Sequence, residues 1–150
     1  MIIADLNIIC VAQDKMCCPK DTGNIVFETH NRLCPNDPVY PTDNFDYAHG
    51  IVGWWYTFWP SDKYFLESPF FELSSNADPH GIRLSSIWEE EVFELLSYYI
   101  NLSPKRKIGV LVRVQDKSNN IVHDCVSLDV IKEKMLNGQI NFNELYLISK

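Results

Sequence analysis

One stretch near the middle of the chain admits a single reading. Trp88, Val92, Leu95, Leu96 and Tyr99 recur at the helical period and make one apolar stripe, with polar residues between them. Glu89, Glu90 and Glu91 crowd the first turn, where the positive end of the helix dipole favours carboxylates. Ser86 stands three residues before Glu89, the spacing of a reciprocal capping box. Ser103-Pro104 ends the helix, because a residue before proline is driven out of helical backbone. A helix with one apolar stripe must bury it against something, and the flanking sequence supplies strands.

Upstream, IIADLNIICVA and NIVFETH read as strands, and the turn residues Thr22-Gly23-Asn24 predict that the two pair or lie side by side. Asn31 to Asp46 holds three prolines and little periodicity, which predicts a long surface loop. Ile51 to Trp59 and Lys63 to Leu66 read as two more strands around a turn at Pro60-Ser61-Asp62. Downstream, Lys107 to Gln115 places Ile108, Val110, Val112 and Val114 on one strand face. Ser118-Asn119-Asn120 predicts a hairpin returning through Ile121 to Val126. Ser127 is placed to cap a short helix through Leu136, closed by Asn137-Gly138, and QINFNELYLIS reads as a last strand. The expected fold is α+β: a single domain over residues 1–150, with one long and one short helix packed on a largely antiparallel sheet.

Composition narrows the function. The longest apolar run, Ile51 to Trp59, is broken by Gly53 and Thr57, well short of a membrane span. Asp5 and Asn7 interrupt the first apolar run and no basic segment precedes it, so neither export nor insertion is expected and the expected compartment is the cytoplasm. The net charge is −7, and residues 1 to 80, with eleven acids against four bases, carry all of it. Nucleic-acid affinity comes from Lys and Arg displacing counterions, so direct nucleic-acid binding is not expected. Cys17, Cys18, His30 and Cys34 invite a zinc reading, yet adjacent cysteines are a poor substitute for the two-residue spacing that lets two sulfurs face one ion. No metal or cofactor is expected. The four histidines, His30, His49, His80 and His123, stand in no motif with a mechanism, and no glycine-rich phosphate loop or nucleophile elbow is present. These features predict a protein that is not an enzyme.

Acid and aromatic coincide in one window. Between Asp43 and Asp78 six acids and one base accompany eleven aromatic residues, and five of the six residues from Trp54 to Trp59 are aromatic. Aromatic anchors ringed by charge are the composition of a protein–protein hot spot, and acids facing a basic site speed association. The candidate partner-binding residues are Asp43, Asp46, Asp62, Glu67 and Asp78 for the acidic part, with Trp55, Trp59 and Tyr64 as anchors. The plain alternative is that the rings build the core and the acids keep its rim soluble.

The segment PFFELSSNADPHGIRLSSIWEEEVFELLSYYINLSPKRKIGVLVRVQD, with the ending INFNELYLIS, resembles small bacterial immunity proteins of polymorphic toxin and contact-dependent growth inhibition systems. The similar features are the helix entering Ser103-Pro104, the strand with Arg113 and Gln115, and the run from Phe142-Asn143 to Tyr146. The resemblance covers the C-terminal half and implies a cytosolic antidote that binds a cognate toxin domain, often a nuclease, and blocks its active site. It implies no catalytic residues. A non-catalytic adaptor binding an endogenous protein through the same window is the alternative.

Overall fold

The computed structural model describes residues 4–13, 15, 23–33, 51–61, 67–73, 81–114 and 121–150. Its centre is the first strand, β1 (Asp5–Val11), flanked on one side by β3 (Gly53–Pro60) and on the other by β6 (Lys107–Arg113), both antiparallel. β2 (Ile25–Leu33), β7 (Val122–Ser127) and β9 (Leu145–Ser149) complete a six-stranded sheet in the order β2-β3-β1-β6-β9-β7. The middle strands are buried on both faces: β6 is a near-continuous apolar run, while β1 carries Asp5 and Asn7 among its buried residues. A smaller sheet holds β4 (Phe71–Leu73), β5 (Gly81–Leu84) and β8 (Ile140–Asn141).

A 3-10 turn (Ser86–Trp88) leads into α1 (Glu89–Leu102), and Trp88, Val92, Leu95, Leu96, Tyr99 and Ile100 are all buried. They meet Leu6, Ile8 and Cys10 of β1 and Ile108, Val110 and Val112 of β6 in the main core. The expected capping box does not form: Ser86 falls inside the 3-10 turn rather than at the helix boundary, and no side chain caps that end. Packing sets the entry instead. The Trp88 indole N–H donates to the Ser68 carbonyl at 2.8 Å, and Phe70 meets the Trp88 ring edge-on at 5.1 Å. Asn24 Nδ2 also donates to Glu91 Oε1 at 2.8 Å, tying the start of β2 to the first helical turn. At the other end Ser103 is extended, as its following proline demands, with its hydroxyl 2.7 Å from the Lys107 carbonyl and 3.0 Å from that of Val11.

Four expectations about connection change. β1 and β2 are not neighbours, because β3 lies between them and pairs with both. β2 also runs three residues into the predicted loop: Asn31, Arg32 and Leu33 pair with Trp55, Trp54 and Gly53, since backbone partners offered by β3 outweigh weak side-chain propensity. The strand from Lys107 and the arm from Ile121 do not form a hairpin; β9 separates them, and β7 runs parallel to β9. A parallel pair needs a crossover, and α2 (Leu128–Leu136) supplies it. Ser127 caps α2 as the sequence predicts, its Oγ accepting from Val130 N at 3.2 Å, and Gly138 takes φ 70° just beyond the end.

The fourth change concerns the C-terminal run, which divides between β8 in the small sheet and β9 in the large one. Asn143 makes the break at φ 63°, a backbone that asparagine tolerates. Its N–H donates to the Val112 carbonyl at 2.8 Å and its Oδ1 accepts from Val114 N at 2.9 Å, pinning the corner to the end of β6. The predicted strand at Lys63 to Leu66 and the turn at Ser118 to Asn120 lie outside the described residues. The observed class is α+β, with two helices and mixed sheets. Among the described residues no helix is long and apolar enough to cross a membrane.

Candidate functional site

Of the eight residues singled out for partner binding, Asp43, Asp46, Asp62, Tyr64 and Asp78 lie outside the described residues. Trp55, Trp59 and Glu67 are described. Strand alternation sends Trp55, Thr57 and Trp59 to the sheet face opposite α1. Trp55 is 1% exposed, packs with Ile9, Leu111 and Leu145, and donates its indole N–H to Asn7 Oδ1 at 2.7 Å. A ring enclosed in this way builds the sheet and presents no area to a partner. Trp59, at the far end of the same strand, is half-buried, and the strand register places it opposite Val26, which is 45% exposed. Glu67 is exposed. Cys17, Cys18 and Cys34 of the zinc reading are likewise outside the described residues, and among those described no three His, Cys, Asp or Glu side chains gather around a metal position.

Two polar arrangements that sequence reading passed over are built by the fold. The first lies on the face that Trp55 occupies. Asn7 is fully buried and all four of its amide valences are used. Its Nδ2 donates to Asp5 Oδ1 at 2.6 Å and to the Leu111 carbonyl at 3.2 Å, while its Oδ1 accepts from Trp55 and, at 2.8 Å, from the Thr57 hydroxyl. Arg113 closes the network through Nη2 to Asp5 Oδ2 at 2.8 Å, with the carboxylate almost buried. Asp5 faces Arg113, and Asn7 faces Thr57 on one side and Leu111 on the other, so the network links three strands in one register. The visible signal is the alternation of Asp5 and Asn7 with Leu6 and Ile8. Their partners come from strands about 50 and 105 residues away, which no local pattern reveals.

The second arrangement sits at the β7–β9 edge. The parallel register sets His123 opposite Tyr146, and the two rings stack at 4.3 Å with 7° between their planes. His123 Nε2 lies 2.7 Å from Glu144 Oε1. In such a contact an imidazole N–H donates and a carboxylate oxygen accepts, which pairs Nε2–H with Oε1. The imidazole is 38% exposed and the carboxylate 12%, with Asn141 Nδ2 at 3.4 Å from the same carboxylate oxygen. The Tyr146 hydroxyl accepts from Asn141 N at 3.1 Å. Burial pushes the Tyr146 phenol above its ordinary value; the Asn141 hydrogen bond opposes this and the Glu144 charge adds to it. A carboxylate that orients an imidazole can serve proton transfer or hold a metal-ligating imidazole in its orientation. Among the described residues no third His, Cys, Asp or Glu side chain joins His123 and Glu144 around a metal position.

No protein-family model, curated protein or solved structure matches this chain.

Proposed function

We propose that the chain is a cytoplasmic, non-catalytic immunity-type protein that binds a bacterial toxin domain, of basic nuclease type, and covers its active site. The observation that carries this reading is the window from Asp43 to Asp78, where six acids and one base accompany eleven aromatic residues in a chain of net charge −7. A nuclease binds phosphates in a basic cleft, and carboxylates of an inhibitor can occupy such a cleft while aromatic rings exclude water from it. Buried charge pairs in such a contact contribute several kcal/mol of coupling (about 1.5–7), whereas rim charges act mainly on the association rate. Trp59, half-buried beside the exposed Val26, is the anchor this reading favours among the described residues; Tyr64 and the acids Asp43, Asp46, Asp62, Glu67 and Asp78 complete the proposed contact set.

The test is capture of partners by the tagged full-length protein from its own source, washed at ~0.15 M and at ~1 M salt, between which the screening length falls from about 8 to 3 Å. The reading expects a basic toxin domain that is released by salt, and growth of cells expressing that domain only when this chain is co-expressed. A salt-sensitive partner with no toxicity replaces the antidote role with that of an adaptor. Trp59→Ala and Asp62→Ala are each expected to weaken binding about tenfold or more while leaving the melting temperature within a few degrees, the pattern of interface rather than core residues. If both variants melt early and bind normally once folded, the proposed surface is in the wrong place.

A further inference from the structure

We draw no further inference here: the strongest candidate, the His123–Glu144 pair stacked on Tyr146 at the β7–β9 edge, brings together one imidazole and one carboxylate with nothing among the described residues to show what they would bind or act on.

Discussion

Asn7→Ala is the most informative single change in this fold. The amide lies fully buried among Asp5, Trp55, Thr57 and the Leu111 carbonyl, and its removal strips a partner from each. Two of the four have other means of support: Asp5 keeps Arg113, and Leu111 keeps its place between β1 and β9. The Trp55 indole N–H and the Thr57 hydroxyl lose the acceptor they share. A buried donor left unsatisfied costs about 1–3 kcal/mol, so the pair costs roughly 2–6 kcal/mol. Relaxation trims the upper end, so a loss of about 2–5 kcal/mol is expected, a large share of the ~5–15 kcal/mol that holds a domain folded. Urea unfolding followed by tryptophan fluorescence reads this as a lower midpoint with an unchanged slope. Thr57→Val removes one of the orphans in advance. The double variant Asn7→Ala, Thr57→Val should therefore be more stable than the sum of the two single losses predicts, by about 1 kcal/mol or more. A single-variant loss below about 1 kcal/mol, or strict additivity, would refute the claim that this network holds the three strands in register.

Three other changes probe separate parts of the structure. Tyr146 has its phenol pushed above its unfolded value, so the unfolded state ionises first as pH rises past about 10 and stability falls from there upward; Tyr146→Phe should flatten that alkaline decline in a pH series of urea midpoints, and an unchanged slope would count against the buried phenol as its source. At Gly53 an added Cβ would lie 1.9 Å from the Cys10 carbonyl oxygen, a backbone atom that cannot swing aside; Gly53→Ala is expected to cost about 1–3 kcal/mol by chemical denaturation, through displacement of the β1–β3 ladder. His123→Gln, at a pair that is more than a third exposed on the imidazole side, should cost less than about 1 kcal/mol at neutral pH in the same assay, and a much larger loss would mean that the stack and carboxylate anchor β7.

The elements legible in the sequence are those whose signal is local. The α1 stripe, its stop at Ser103-Pro104, the Ser127 cap of α2 and the one-face pattern of Ile108, Val110 and Val112 each depend on residues a few positions apart, and each stands as read. The capping box at Ser86 failed although it too is local, because burial of Trp88 against Phe70 and Ser68 selected a 3-10 entry over the cap. Partner choice among strands was not legible. Nothing near Ile25 says that β3 will intervene before β1, and nothing near Ile121 says that β9 will claim both β6 and β7. Ladder hydrogen bonds are made by backbone that every residue carries, so pairing follows which apolar faces can be covered together.

The polar sites show the same division. Asp5 and Asn7 are visible as breaks in an apolar run, and the acid-and-aromatic window from Asp43 to Asp78 is plain from composition alone. Which of its rings faces inward was decided by position in the sheet: Trp55 and Trp59 share a face by alternation, yet Trp55 is enclosed beside Asn7, while Trp59 sits where the strand reaches the end of its ladder. His123, Glu144 and Tyr146 are joined by a parallel pairing that only the α2 crossover makes possible. By itself the sequence determined where this chain can be helical, which segments are apolar enough to pair, and where its charge lies. The tertiary structure alone decided which strands pair and which polar groups meet, because those contacts join residues far apart in the chain and are worth forming only when the whole core closes around them.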